Sequence, residues 1–276
     1  SVDYAFLERE YKKAELAGGE TFRGYLSKHA NVEIGLNLRS DRWAGADFWE
    51  QAADRRVTTL DDILSRCEVV DIGIDGGGLD DLLGLAVAGR ERETGKWLLW
   101  THAWAHPSVL ERRKSESARF CDFERDGNLT LVDRIGDDVE DVADICYRVY
   151  DSGLLDMIGC DQAGIGAIVQ AIVESGVPED MLIGISQGWK LTGAIKTTER
   201  KLAEGALWHA GQPLMAWCVG NARIEPRGNA VMITKQAAGT AKIDPLMATF
   251  NAISLLSLNP DAKGKSVYEQ RGIRYI

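Results

Sequence analysis

VVDIGID at residues 69–75, LLGLAVAG at 82–89 and KWLLWTHAW at 96–104 decide how this chain folds. Each is a short apolar run bounded by glycine or charge clusters, the pattern of consecutive strands. Downstream the pattern alternates. VLERRKSESARFCDFERDG (109–127) reads as a charged helix and LTLVD (129–133) as a strand. In DDVEDVADICYRVYDSG (137–153), Val139, Val142, Ile145 and Val149 fall at helical spacing. LLDMIGCD (154–161) is a buried strand, GAIVQAIVESG (166–176) a helix closed by Gly176, and MLIGISQ (181–187) a strand. TTERKLAEGAL (197–207) reads as helical, PLMAWCVGNARI and AVMITK follow, and DPLMATFNAISLLSL (244–258) is a final helix. Three antiparallel strands followed by helix and strand alternation predict an α/β fold with a mixed central sheet and helices on both faces.

Upstream of residue 67 the sequence is charged and broken up. EREYKKAELAGGE (8–20) is a polar helix, DRWAGADFWEQAADRR (41–56) carries Trp43, Phe48 and Trp49, and TLDDILSRC (59–67) is a short helix behind a threonine cap. Residues 1–66 are therefore expected to be an appendage or linker, 67–258 the compact domain, and 259–276 a loose polar tail.

The 276 residues are 45% hydrophobic, enough for a sizeable core, and carry a formal net charge of −10. That charge excludes a surface that grips nucleic acid everywhere, so any DNA contact must be local, weak or metal-assisted. The expected local patch is Lys190, Lys196, Arg200 and Lys201 with Lys235 and Lys242. No apolar run approaches the roughly 18 residues of a membrane span, and SVDYAFLERE does not resemble a signal peptide, so a soluble cytoplasmic location is expected. Five cysteines, none in a Cys-x-x-Cys pair, read as free thiols.

Three aspartates stand where chemistry is possible. Asp75 ends the first strand ahead of Gly76, Gly77 and Gly78, which leave room for a ligand at the backbone, with Asp71 on the same face further inside. Asp161 ends LLDMIGCD ahead of small residues, and Asp244 opens the final helix ahead of Pro245. Taken singly, each is read equally well as a turn or helix cap. As a set they are the parts that bind one or two divalent cations through oxygen.

GIDGGGLDDLLGLAV (73–87), IGCDQAGIGAIVQAI (158–172), LWHAGQPLMAWCVGNARI (207–224) and VMITKQAAGTAKIDPLMATFNAISLL (231–256) resemble the nuclease domain of tailed-phage terminase large subunits, in the ribonuclease-H-like superfamily. GLNLRSDRWAGADFWEQ (35–51) looks like the segment which that family places between motor and nuclease. The resemblance implies a ribonuclease-H-like sheet and a metal-dependent endonuclease that cuts concatemeric viral DNA at the start and end of packaging. It makes Asp75, Asp161 and Asp244 the catalytic and metal-binding acids for two Mg2+ or Mn2+ ions. Its partners would be double-stranded DNA, the phage portal and the small terminase subunit, in the host cytoplasm and away from any membrane. An ATPase motor precedes the nuclease in that family, yet nothing here fits Gly-x4-Gly-Lys-Ser/Thr. Gly264-Lys265-Ser266 comes nearest, with Asn259 where the first glycine is required, so the chain is expected to be a C-terminal piece.

Three further residues are candidate phosphate or DNA contacts: Lys235 at the end of VMITK, Lys242, and His209 after Trp208. A solvated lysine and a turn histidine are the structural alternatives. His102 and His106 are four apart on a strand that runs into a loop, a poor metal pair, and Gly164-x-Gly166 is a weak dinucleotide signal. Two other functions compete: an actin-like ATPase using Asp75 and its glycines as a phosphate loop, and a non-catalytic portal-docking module whose acids only cap turns.

Overall fold

The computed structural model describes residues 4–17, 41–78, 81–162, 165–235 and 241–263. Its chain order runs α1 Tyr4–Ala17, α2 Ala46–Trp49, α3 Leu60–Arg66, β1 Cys67–Gly76, β2 Leu83–Glu91, β3 Trp97–Ala105, α4 Ser108–Arg112 and α5 Ser117–Arg125. It continues with β4 Leu129–Leu131, α6 Asp137–Asp151, β5 Leu155–Asp161, α7 Gly166–Glu174, β6 Leu182–Ile185 and α8 Thr192–Ala203. It ends with β7 Leu207–His209, α9 Pro213–Asn221, β8 Ala222–Arg227, β9 Ala230–Lys235 and α10 Asp244–Leu256. One sheet has the order β4-β3-β2-β1-β5-β6 with β7 also on β3, and β8-β9 is a separate hairpin. β1, β2 and β3 pair antiparallel, whereas β5 joins β1, and β6 joins β5, in parallel. This is the mixed sheet expected from the sequence.

Alternation along β1 divides the core. Ile72 and Ile74 face a cluster with Val142, Cys146 and Val149 of α6 and Ile168 and Ile172 of α7. Val69 faces the other cluster, which holds Phe250 and Ile253 of α10 with Ile195 and Leu202 of α8. Helices therefore cover both faces.

α10 is buried nearly all round, from Asp244 to Leu256, as a helix in the middle of a layer must be. Glycines let it lie directly on the sheet. A Cβ on Gly73 of β1 would stand 1.9 Å from the Ala248 carbonyl oxygen, and one on Gly84 of β2 would stand 2.6 Å from the Pro245 nitrogen. Any side chain at either position would lift the helix. Asn251, fully buried, donates to the Ile74 carbonyl at 2.9 Å and so fixes the helix against the end of β1.

Several elements differ from the sequence reading. Residues 41–66, expected to be an appendage, belong to the body: Trp43 and Trp49 are 0% and 2% exposed, and Trp43 packs edge-on against Phe250 with centroids 5.4 Å apart. The charge of this stretch masks two indoles spaced to reach one cluster. Thr59 caps α3 as expected, in a full capping box with Asp62. The single charged helix expected after β3 is two, α4 and α5. α8 begins at Thr192, and the end of the helical stretch read there is instead strand β7, parallel to Trp97–Leu99 of β3. Residues 259–263 of the expected loose tail are held, since Arg90 bonds Asn259 and the Pro260 carbonyl at 2.8 Å each and Lys263 meets Asp156 at 2.9 Å. Residues 264–276, including Gly264-Lys265-Ser266, and Gly164 lie outside the described residues. All five cysteines are free thiols, four buried and Cys121 exposed.

Gly84→Ala should cost about 1–3 kcal/mol by overpacking against backbone that cannot yield, lowering the melting temperature by several degrees in a thermal scan. Gly193→Ala, at an exposed helical position with nothing within 4 Å, should instead gain about 0.5–1 kcal/mol. A Gly84→Ala protein melting with the wild type would contradict this packing.

Candidate active site

β1, β5 and β6 run parallel, so their C-terminal ends share one edge of the sheet. Asp75, the penultimate residue of β1, pairs with Gly84 of β2, and Asp161, the last of β5, pairs with Ile185 of β6. α10 begins over Gly84, so Asp244 arrives at the same edge. Its Oδ1 lies 3.3 Å from where a Cβ on Gly76 would stand, and Gly76 turns with φ +90°. That space and that backbone angle both require glycine.

The electrostatics register the grouping. Burial pushes the Asp75 carboxyl up to about 8, and the charges of Asp244, Asp161 and Asp81 push the same way against Lys235. Asp244, 9% exposed, is raised by burial and by Asp81, with Lys242 opposing. Its Oδ2 is buried without a hydrogen-bond partner. An orphaned carboxylate oxygen in a cluster of like charge is relieved by a bound proton or by a cation.

Asp81 was not singled out from the sequence, although it lies in the glycine-rich stretch after β1. Lys242, 1% exposed, donates to its Oδ1, and Lys235 Nζ stands 3.9 Å from its Oδ2. Burial would raise the Asp81 carboxyl, but the Lys242 hydrogen bond and charge hold it below its ordinary range. Its signal in the sequence was the Asp-Leu pair itself. Asn251 was also missed, because a polar residue in an apolar helix shows no partner until the fold supplies one.

The structure thus brings Asp75, Asp161, Asp244, Lys235 and Lys242 to one edge, with corrections to the other expectations. Lys242 is committed to Asp81 inside the protein, so it offers no exposed contact to a phosphate. His209 is not at this edge: it pairs with Leu99 near the opposite end of β3 and stacks on Trp49 at 4.0 Å. Its Nε2 meets the Trp49 carbonyl at 2.7 Å, and its Nδ1 accepts from Gly211 at 3.0 Å. Burial lowers its ring to about 4, so it is a neutral packing histidine. Asp71 is fully buried four residues back along β1, accepting from Met157 at 3.1 Å and pushed up to about 8 by burial and by Asp156. His102 and His106 bond separately to Thr130 and Ser108, each at 2.9 Å. Of the expected basic patch, Lys196 and Arg200 are paired with Glu199 and Glu204, and Lys201 covers Trp97 at the far end of β3.

Among the described residues no three Asp, Glu, His or Cys side chains already stand in metal-ligand geometry. The acids share an edge without forming a closed ligand set. An all-carboxylate, all-oxygen group of this kind suits hard cations such as Mg2+ or Mn2+ better than soft ones.

The family model of the terminase large subunit, endonuclease domain, matches residues 21–258. The chain belongs to that family. The large terminase subunit of Enterobacteria phage HK97 is 26% identical in an alignment of 246 residues that covers 79% of this chain and 45% of that protein. The crystal structure of the HK97 large terminase matches with a TM-score of 0.63 at 20% identity, over 92% of this chain and 51% of that one. The large terminase nuclease of thermophilic phage G20c, crystallised with bound magnesium, matches at a TM-score of 0.48 and 14% identity, over 78% and 98% of the two chains. The terminase nuclease chain described here spans about half the length of its HK97 relative. Its mixed sheet, with helices on both faces, is the arrangement expected from the sequence. No described helix of this terminase nuclease is long and apolar enough to cross a membrane.

Asp75 and Asp71 carry folded-state values near 8 against an ordinary 3.8. Folding therefore takes up protons at these two acids between those values, whereas the buried His102 and His209, lowered to about 4 from 6.5, release them below about 6.5, so the metal-free protein should lose stability as pH rises from about 6.5 to about 8. Thermal scans in EDTA should show this fall, and Asp75→Asn or Asp71→Asn should each flatten it. A melting temperature that rises with pH across this window would contradict the burial of these acids.

Proposed function

We propose that the chain is the DNA-cutting unit of a phage packaging terminase, a metal-dependent endodeoxyribonuclease that cuts concatemeric viral DNA when packaging begins and ends. The observation that carries this is the meeting of Asp75, Asp161 and Asp244 at one sheet edge, with an unpartnered carboxylate oxygen buried among them. In this reading these three acids hold the divalent cations, two Mg2+ or Mn2+ ions. Such ions, when bound, lower the pKa of water and neutralise charge that develops on the phosphodiester. The protein's own groups do the rest. The strands fix the acids rigidly, and Gly76 to Gly78 let a DNA backbone approach them without steric conflict. Lys235, with a side chain 51% exposed, faces the incoming phosphate, and Lys242 keeps the Asp81 charge occupied so that Asp81 orients the loop. Double-stranded DNA is the substrate, the portal and the small terminase subunit are the assembly partners, and the host cytoplasm is the site of action.

The family match leaves the actin-like ATPase without support, and the plasmid experiment separates the nuclease from a docking module. Supercoiled plasmid should be nicked and linearised in Mn2+ or Mg2+, and EDTA should abolish cutting. Asp75→Asn, Asp161→Asn and Asp244→Asn should each reduce cleavage by at least about 100-fold, while Asp71→Asn and His209→Gln should leave the folded protein active. Intact plasmid at high protein concentration, or cutting that survives all three substitutions, would overturn the assignment.

A further inference from the structure

The turn after β6 presents an indole that the chemistry above does not use. Trp189 is 58% exposed in the short 3-10 turn Gly188–Leu191, which begins three residues after Ile185, the partner of Asp161. A single exposed tryptophan is ordinary on a soluble protein. This one sits on a turn whose backbone is tied down, directly after the strand that pairs with the end of β5. Gly188 takes φ +68°, and the Thr192 hydroxyl lies 2.6 Å from the Trp189 carbonyl and accepts from the Val231 N–H at 3.1 Å, tying the turn to β9. Gln187 donates to Asn251 at 2.9 Å, and Asn251 in turn donates to the carbonyl of Ile74, the residue before Asp75. β9 runs on from Val231 to Lys235, four residues or about 13 Å, and Lys235 stands 3.9 Å from Asp81. The Lys190 ammonium lies 6.0 Å from the centre of the Trp189 ring.

An exposed ring on a tied-down turn, with a cation beside it and at the C-terminal end of the strand that neighbours β5, has the chemistry of a stacking platform for nucleic acid. We propose that Trp189 and Lys190 form a clamp for one unpaired nucleotide beside the scissile phosphodiester, the ring stacking on the base and the ammonium meeting a flanking phosphate. This rests on the nuclease reading. The occupant is unpaired because the face of a base inside a duplex is already covered by its neighbours. An indole and an ammonium have no means of reading a base edge, so the clamp tolerates any sequence. Its effect falls on nicked or locally opened DNA, the state of the substrate between the first and second strand cuts.

The test is fluorescence anisotropy in Ca2+, using the full chain and two labelled DNAs: a fully paired duplex, and the same duplex with a short unpaired stretch. Trp189→Ala should weaken binding of the unpaired form about tenfold and leave the paired form unchanged. Trp189→Phe, which keeps a stacking ring, should retain most of the affinity, and Lys190→Ala should weaken both DNAs and reduce their salt dependence. Wild-type tryptophan emission should be quenched by the unpaired form, with that quenching reduced in Trp189→Phe, a readout that stands even if the alanine variant folds poorly. Wild-type protein that binds and cuts DNA while Trp189→Ala binds both forms equally well, with no quenching difference, overturns the clamp alone. Wild-type protein that neither binds these DNAs nor cuts plasmid in Mn2+ overturns the nuclease reading and the clamp with it.

Discussion

The close seating of α10 on β1 and β2 is the constraint from which the rest of this structure follows. Gly73 and Gly84 leave no Cβ between the helix backbone and the sheet, so the helix start is brought down onto the ends of the strands. An acid at that start must then share space with acids at the ends of β1 and β5. The same glycines that permit packing therefore create the electrostatic problem at the edge. Asn251 fixes the geometry by bonding β1 immediately before Asp75, which ties the position of Asp244 along the helix to that of Asp75 along the strand.

The protein meets this crowding unevenly. Asp81 is matched by a buried lysine and approached by a second, an internal pairing whose desolvation is offset by a direct hydrogen bond. Asp244 keeps a buried oxygen without a partner, and the Asp75 carboxyl is pushed up to about 8, by burial first and then by its acidic neighbours. The direct lysine pairing thus goes to Asp81, outside the proposed ligand set, while Lys235 and Lys242 only partly offset the charge around Asp75 and Asp244. A chain of net charge −10 with few unpaired cations at this edge has little means of holding DNA by phosphate contacts alone. Within a packaging machine that is an advantage in our reading, since a nuclease that gripped the duplex would resist its movement.

Much of this was legible in the sequence because it is written in short-range patterns. The strands β1, β2, β3 and β5 are apolar runs closed by turn residues, and Asp75, Asp161 and Asp244 stand at their ends or at a helix start, where side chains are free to act. What was not legible depends on contacts between distant residues. Trp43 and Trp49 sit in a charged stretch and declare themselves as core only against Phe250 and His209. β7 is three residues long, too short for a periodic signal, and exists only because β3 offers it an edge. Lys242 reads as a cation for DNA until the fold buries it on Asp81, and His209 reads as a phosphate contact until both ring nitrogens meet backbone groups. Two of the α8 cations are engaged by acids of their own helix, Lys196 by Glu199 and Arg200 by Glu204.

The central claim is that Asp75, Asp161 and Asp244 together hold divalent cations. Anomalous diffraction at the manganese edge from crystals soaked in Mn2+ tests it most directly. The expected result is manganese peaks coordinated by carboxylates of these three residues, with Lys242 still on Asp81. Peaks elsewhere on the protein and none at this edge, from well-ordered crystals at saturating Mn2+, would contradict it.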